Sequence, residues 1–170
     1  MNYRSIDGGC YYIQTVLQTD FETAQTDCDT RFPNGGHLFE PQSLNIDEKV
    51  MNAALEVYSG SRGYYIGVKR ETVDSDFKLV SSGITVPFEI NWYGYPIYPR
   101  SDASYSCGFV QSHLGSSGFE WFNSRCNYTS PYTYSICESA GMHSDVLTMN
   151  IFIVYLSRSS NFVVFLPMKK

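Results

Sequence analysis

The chain has 170 residues, which is enough for one domain with a substantial core and leaves little for a second. Its formal net charge is -5, so it lacks the basic stripe needed to bind nucleic acid or an anionic membrane surface. Aromatic residues make up 16% of the chain, with 14 tyrosines, which suits a strand-rich domain with a recognition surface. The charge therefore argues against a nucleic-acid partner, and the aromatic content alone leaves the function open.

The chain contains five cysteines, at Cys10, Cys28, Cys107, Cys126 and Cys137. None lies in a Cys-x-x-Cys pair, so the spacing favours disulfides over a zinc or thioredoxin-type site. An odd number leaves one thiol that is free, intermolecular or paired outside this sequence. Disulfides imply the secretory pathway or the extracellular space, yet residues 1–9 contain no apolar signal region. Either the chain is a fragment or an incomplete gene model, or its cysteines are reduced; we favour the first.

Two helices are predicted in the first third of the chain. Residues 19–31 and 45–57 each carry apolar residues at helical spacing, which predicts that one face of each helix packs against a core. Each segment also starts with a possible capping box, in which two side chains three residues apart satisfy backbone N–H groups of the first turn. The two boxes are Thr19 with Glu22 and Asn45 with Glu48.

Short extended segments alternate with these helices. The sequence predicts a first strand at residues 10–13 and a central strand at 64–68. Alternating aromatic residues between residues 107 and 137, bounded by turn residues, predict further strands of a small sheet. Residues 69–106 are irregular, and a long loop of this kind in a compact domain is usually functional.

Four motifs occur in a fixed order along the chain. They are a helix with Cys28 followed by Gly35-Gly36-His37-Leu38, the strand Tyr65-Ile66-Gly67-Val68, the pair Asn91-Trp92 with Gly94-Tyr95-Pro96 shortly after it, and the ending Tyr134-Ser135-Ile136-Cys137-Glu138. Together they resemble the C-type lectin-like domain over residues 10–138. Their combination is much more specific than any one of them.

The resemblance implies an α+β, C-type lectin-like fold, in which two helices flank small antiparallel sheets with a long loop region and disulfides staple the chain. It also implies the pairs Cys28–Cys137 and Cys107–Cys126. Cys10 is then left over, because its partner in longer members of the family would fall before residue 1. A dimer linked through Cys10 is the alternative to this unpaired state.

The resemblance divides the chain into three parts. Residues 1–9 are a leader or a truncated segment, residues 10–138 are the lectin-like domain, and residues 139–170 are a partly apolar tail. The two apolar runs of the tail are separated by a polar segment with Arg158, which makes a membrane-spanning helix unfavourable. We favour an extra strand pair or a mispredicted C-terminus over a lipid anchor, whose signal is poorly formed here.

Many sugar-binding members of the family hold a calcium ion with three conserved elements: a Glu-Pro-Asn or Gln-Pro-Asp motif, a glutamate before the third family cysteine, and a Trp-Asn-Asp motif. The corresponding positions here are Tyr95-Pro96-Ile97, Tyr105 and Phe122-Asn123-Ser124. Calcium takes about six to eight oxygen ligands, of which carboxylates dominate. Only two acids, Asp102 and Glu120, lie in this region. We therefore predict no primary calcium site, no other metal site and no cofactor.

Aromatic and polar residues remain at the predicted ligand surface, namely Tyr93, Tyr95, Pro96, Tyr98, Arg100, Tyr105 and Asn123. Tyrosines stack on sugar rings or anchor protein interfaces, where arginine is also enriched. Asn127 begins the sequon Asn127-Tyr128-Thr129, which is a glycosylation site if the chain is secreted.

The predicted function is non-catalytic recognition outside the cell or at its surface, with a glycan or glycoprotein bound without the usual calcium site. The alternative is a protein–protein interaction module that binds no sugar. A hydrolase with a Ser/His site assembled in space is a remote alternative, because none of the three histidines lies in a metal or hydrolase motif. We therefore predict that the chain is not an enzyme.

Overall fold

The computed structural model describes residues 2–58, 62–86, 101–102, 104–112, 119–128 and 132–139. Within these ranges the helices are α1, Phe21–Arg31, and α2, Leu44–Val57. The strands there are β1, Tyr3–Ile6; β2, Gly9–Ile13; β3, Gly36–Leu38; β4, Gly63–Lys69; β5, Lys78–Leu79; β6, Cys107–Ser112; β7, Phe119–Ser124; and β8, Thr133–Ser139. The predicted ligand residues at 93, 95, 96, 98 and 100 and the tail from residue 140 lie outside the described residues.

Strand β8 lies at the centre of the sheet. The strand order is β1-β2-β8-β4-β6-β7, with β3 also paired to β8 and β5 to β4. The predicted α+β class is confirmed, and the sheet is mixed, because β4 runs parallel to β8 while the other paired strands run antiparallel. Parallel neighbours require a long connection, and here the chain between them passes through the β6–β7 hairpin. Every residue of β8 is buried, as expected for a central strand covered on both faces.

Both helices start at caps that differ from the predicted ones. In α1 the Asp20 carboxylate accepts a hydrogen bond from the Thr23 N–H at 2.7 Å. In α2 the Ser43 hydroxyl accepts one from the Ile46 N–H at 3.4 Å. The predicted capping boxes were therefore wrong, because an aspartate and a serine, which are strong N-cap residues, stand directly before the first turns.

The sheet separates two apolar clusters. The cluster under α2 includes Met51 and Val50, so the apolar stripe of this helix faces the core as predicted. The cluster under α1 surrounds the sulfur of Cys28. The central strand passes close to the segment that follows β3, because a Cβ added at Gly67 would stand 2.6 Å from the Leu38 carbonyl oxygen. The motif therefore needs glycine at this position.

Two disulfides join distant parts of the chain. Cys28 of α1 is bonded to Cys137 of β8 across 109 residues of sequence. Cys107 at the start of β6 is bonded to Cys126, just after β7, across 19 residues. These are the pairs that the resemblance implies. Cys10 is a free, half-buried thiol on β2.

The N-terminal residues belong to the sheet. β1 pairs antiparallel with β2, with Tyr3 opposite Tyr12. Asp7 and Gly8 form the turn between them with positive φ values of 47° and 88°, the geometry of a two-residue hairpin. The described sheet therefore includes residues 3–6, which precede the predicted start of the domain at residue 10.

The longer disulfide is expected to stabilise the fold more than the shorter one. In the chain-entropy model, closing loops of these lengths contributes about 5 kcal/mol for Cys28–Cys137 and about 3 kcal/mol for Cys107–Cys126. We expect the double variant Cys28→Ala/Cys137→Ala to lose more free energy of unfolding in urea than Cys107→Ala/Cys126→Ala. Cys10→Ala is the control and should change it least. Equal losses for the two pairs would contradict this order.

Buried carboxylates connect α2 to the sheet. Glu138 of β8 is 1% exposed and accepts a hydrogen bond from Gln42 Nε2 at 2.6 Å. Asp47 of α2 is 5% exposed, and its Oδ1 accepts the Gln42 N–H at 3.2 Å. Burial raises the pKa of Asp47 to about 6; hydrogen bonds from the Gln42 and Ser43 backbones oppose the rise, and the Glu138 carboxylate adds to it. Asp47 therefore holds its proton more tightly in the folded chain.

Neutralising Asp47 is expected to stabilise the protein above pH 6. Its ordinary pKa is 3.8, so the folded state binds more protons than the unfolded state between pH 3.8 and about 6. The stabilising contribution of Asp47 to the free energy of unfolding is therefore complete below pH 3.8, and it is lost as the pH rises through 6. Asp47→Asn should raise the midpoint of thermal unfolding at pH 8 and change it less at pH 4, as measured by calorimetry.

The matched control is Glu48→Gln, which removes one charge from the exposed neighbouring position of the same helix turn. This control should not show the gain at pH 8. An Asp47→Asn variant that is less stable than the parent at pH 8 would show that the buried carboxylate is stabilising when ionised.

Candidate functional site

Three strand ends meet at one edge of the sheet. Cys107 at the start of β6 pairs with Ser124 at the end of β7 and with Lys69 at the end of β4. The Cys107–Cys126 disulfide closes the same edge. The long loop region returns to the sheet here, immediately before β6. We define the loop edge as the described residues 69–77, 101–102, 104–107 and 123–126.

Two of the predicted ligand residues meet at the loop edge. The Asn123 side chain donates a hydrogen bond from Nδ2 to the Tyr105 carbonyl oxygen at 2.8 Å. Asn123 is 2% exposed, whereas Tyr105 is half-buried. The Arg125 guanidinium lies over the Tyr105 ring, 5.8 Å from its centroid. Asn123 therefore holds the Tyr105 backbone from a buried position, and Tyr105 is the more exposed residue of this pair.

Arg70 connects two loop segments of the loop edge, and the second of them leads to Tyr105. Its guanidinium donates to the Val73 carbonyl oxygen at 3.1 Å and to the Asp102 carbonyl oxygen at 2.8 Å, and it lies 5.0 Å from the centroid of the Phe77 ring. Arg70 is only 5% exposed. Burial lowers the pKa of Arg70, and the Asp102 and Asp74 carboxylates oppose this effect. One buried cation therefore connects the segment after β4 to the segment before β6.

Asp102 shapes the turn that leads into Tyr105. Its Oδ1 accepts hydrogen bonds from both the N–H and the hydroxyl of Ser104, each at 2.8 Å. The Tyr105 N–H donates to the Asp102 carbonyl oxygen at 3.0 Å. This local side-chain hydrogen bonding is typical of aspartate at turns. The Asp102 carboxylate is thus engaged in holding the backbone of the turn.

The sequence did not identify Arg70 and Arg125 as parts of this site. Neither lies in a spacing motif, and each contacts a residue that is distant in sequence: Arg70 binds Asp102, and Arg125 lies over Tyr105. The backbone carbonyl groups that Arg70 binds carry no sequence signal at all. The adjacency of Arg125 to Cys126 was the only available hint, because that disulfide fixes the position of its neighbours.

The described arrangement is similar to several solved structures. The C-type lectin domain of murine dendritic cell inhibitory receptor 2, in complex with N-glycan, is 15% identical, with 81% of this chain and 95% of that chain covered and a TM-score of 0.63. C-type lectin CEL-I from Cucumaria echinata is 18% identical, with coverage of 81% and 94% and a TM-score of 0.64. A calcium-independent type II antifreeze protein is 20% identical, with coverage of 81% and 91% and a TM-score of 0.59. No protein-family model and no curated protein sequence matches the chain.

The chain has the C-type lectin-like fold. The fold that the four sequence motifs predicted is thereby confirmed. At these identities the comparisons define the fold alone, so the ligand of this lectin-like domain has to be argued from its own residues.

At the described positions that correspond to the family's calcium ligands, this lectin-like domain carries Tyr105 and Asn123, whereas the carboxylates of Glu71, Asp74 and Asp76 lie in the segment after β4. Tyr105 stands where sugar-binding members have a glutamate, and the Asn123 amide donates to a protein carbonyl. Glu120 pairs with Gln111 and lies three residues before Asn123, outside the loop edge. No group of three or more His, Cys, Asp or Glu residues in the described ranges is placed to hold a metal ion. This donor set does not match a carboxylate-rich calcium site.

Little in the described part of this lectin-like domain resembles a hydrolase. His37 lies on β3, and its Nδ1 is 2.9 Å from the Leu38 carbonyl oxygen. His113 and His143 lie outside the described residues, as does Thr129 of the sequon. The hypothesis of a spatially assembled Ser/His site therefore gains no support from His37.

Replacing Asn123 tests whether it supports the loop edge. Asn123→Asp keeps the shape of the side chain but places a carboxylate oxygen against the Tyr105 carbonyl. We expect the free energy of unfolding to fall by about 1 to 3 kcal/mol, the usual cost of an unsatisfied buried polar group, in urea denaturation at pH 7. Asn52→Asp, at an exposed position of α2, is the control. A variant that is stabilised by calcium would instead assign Asn123 to a metal site.

Proposed function

We propose that the domain recognises a glycan or glycoprotein through the loop edge, without a calcium ion and without catalysis. The observation that carries this proposal is the braced position of Tyr105, between the Asn123 amide and the Arg125 guanidinium. A tyrosine ring held in this way presents an apolar face and a polar tip with little loss of conformational entropy on binding. Both properties suit the stacking of a sugar ring.

The sequence supports a larger aromatic surface beside Tyr105. Tyr93, Tyr95, Pro96, Tyr98 and Arg100 belong to the same long loop region, which rejoins the sheet at the loop edge. We propose that these residues form the ligand surface together with Tyr105. Asn123 then has a supporting role beneath it, because its side chain is buried.

The hydrogen-bond donors at the loop edge support the proposed calcium independence. Hydrogen bonds from Arg70 and Asn123 to the Asp102 and Tyr105 carbonyl oxygens hold the loop backbone without a metal ion. The likeness to an antifreeze protein described as calcium-independent supports the view that this fold does not require the metal. The murine receptor domain described in complex with N-glycan supports a glycan as the ligand class.

An extracellular or cell-surface location is part of the proposal. Two disulfides close the described fold, and such bonds persist in oxidising compartments. Asn127 is exposed in the turn after Cys126, where a glycosylating enzyme can reach it. Across the described residues, neither helix has the length and apolar character needed to traverse a bilayer. We assign recognition to the domain that ends with β8 and none to residues 140–170.

A protein ligand is the second candidate, because arginine and tyrosine are also the residues enriched at the energetic centres of protein interfaces. The contact of Arg125 with Tyr105 is an arrangement of that kind. Binding to a protein that carries no glycan would favour this candidate over the first.

Glycan binding is expected to survive removal of calcium. The oxidised domain should bind at least one class of glycan on an array equally well with and without a chelator. Tyr95→Ala and Tyr105→Ala should each weaken binding about tenfold or more, the effect of removing an aromatic anchor from an interface. Tyr3→Ala is the matched control, because Tyr3 is 48% exposed but lies on β1, away from the loop edge.

Loss of all binding in the chelator would contradict calcium independence. Equal losses in Tyr3→Ala and Tyr105→Ala would contradict the location of the site. Binding that persists after enzymatic removal of glycans from a glycoprotein ligand would identify the protein itself as the partner.

Intact mass measures the covalent state of the secreted protein. Expression in a secreting eukaryotic cell should give a mass that rises by about 4 Da on reduction, for two disulfides. Treatment with a peptide-N-glycosidase should remove one glycan in the parent and none in Asn127→Gln. A mass that halves on reduction would show that Cys10 links two chains. A species with no disulfide would contradict the extracellular location.

A further inference from the structure

We propose that ordered water binds in a buried polar site between β2, β8 and α1, independently of the recognition function. The inner polar site, as we name it, consists of Gln14, Asp27, Thr133 and Ser135. It lies on the opposite face of the sheet from the carboxylates of Asp47 and Glu138.

The backbone places three of these side chains on one face of the sheet. The Gln14 N–H donates to the Ser135 carbonyl oxygen at 2.9 Å, which continues the pairing of β2 with β8 by one residue. Residues directly opposite each other in an antiparallel pair project on the same side, and so does Thr133, two residues before Ser135. Cys137 belongs to the same alternating series and is bonded to Cys28 of α1. The face that carries the site is therefore covered by α1.

Three oxygen atoms of the site have no hydrogen-bond partner among the described residues. They are Gln14 Oε1, Thr133 Oγ1 and Ser135 Oγ. The three residues are 1%, 0% and 0% exposed, so bulk solvent does not reach them. Buried polar atoms in native proteins are nearly always satisfied, and those without a protein partner usually bind ordered water.

The orientation of the Gln14 amide is fixed by Asp27. Gln14 Nε2 and Gln18 Nε2 each donate to Asp27 Oδ2 at 3.3 Å. Because a carboxylate only accepts hydrogen bonds, the amide nitrogen has to face Asp27 and Oε1 has to point elsewhere. The unsatisfied oxygen of Gln14 is therefore a real acceptor and does not result from an exchange of the amide atoms.

Water fits this set of atoms better than a cation does. Gln14 Oε1 accepts, while the hydroxyls of Thr133 and Ser135 each donate as well as accept. A water molecule supplies both donors and acceptors, whereas a cation uses acceptors alone and leaves the hydroxyl protons without a partner. The site has a single carboxylate, Asp27, and its Oδ2 already accepts two N–H groups. The ligand is therefore a neutral molecule that donates and accepts.

The sign of a stability change tests this proposal. Thr133→Val removes the hydroxyl and keeps the shape of the side chain. If water occupies the site, the variant leaves that water short of a partner, and the folding equilibrium constant should fall roughly 5- to 30-fold in urea denaturation. If the hydroxyl is truly unsatisfied, the variant should be as stable as the parent or more so, which would overturn the proposal. Thr85→Val, at an exposed extended position, is the control.

A second measurement uses the unmodified protein and does not depend on the folding of a variant. Nuclear Overhauser contacts between a long-lived water and the amide protons of Gln14 or Ser135 should be present in an NMR spectrum of the oxidised chain. Their absence would overturn the proposal. Replacing sodium chloride with choline chloride at equal ionic strength should leave the unfolding midpoint unchanged. A lower midpoint in choline chloride would assign the site to sodium and would also overturn it.

Discussion

The structure depends on the central strand β8, which is buried on both faces and held on both sides. It pairs with β2 and β3 in the antiparallel sense and with β4 in the parallel sense. Cys137 of this strand is bonded to α1, and its neighbour Glu138 points to the opposite face, where Gln42 and Asp47 connect it to the start of α2. Two consecutive residues therefore anchor the two helices to opposite faces of one sheet. This alternation follows directly from the geometry of an extended strand.

The rigid sheet allows the loop edge to be held by the protein's own donors. The disulfide Cys107–Cys126 fixes the ends of β6 and β7, and Arg70 and Asn123 then hold the backbone next to Tyr105. Both side chains are buried, so water competes little for their hydrogen-bonding groups. These hydrogen bonds therefore fix the position of the loop backbone. The recognition surface that we propose takes its shape from these protein contacts and not from a metal ion. Its chemistry is that of tyrosine and arginine, which suits neutral sugars and protein surfaces alike.

The sequence predicted the features that depend on local periodicity and motifs. It did not predict the features that depend on how distant segments are arranged in space. Helical periodicity predicted the two helices, and the resemblance carried by the four motifs implied the fold and the two disulfides. The pair Asp7-Gly8 is typical of a two-residue hairpin turn, but residues 1–9 were predicted to be a leader or a truncated segment. The parallel pairing of β4 with β8 had no sequence signal, because alternation does not encode strand direction. The same holds for Arg70, whose partners are backbone carbonyl groups.

The central claim is that the loop edge is organised by protein hydrogen bonds and not by calcium. Isothermal titration of the oxidised, chelator-treated protein with calcium chloride tests it most directly, because it measures the metal without any assumption about the ligand. The account predicts only a heat of dilution, with no saturable transition at protein concentrations suited to the affinities of extracellular calcium modules. A saturable transition with one ion per chain, which disappears on substitution of Asn123 or Tyr95, would contradict it.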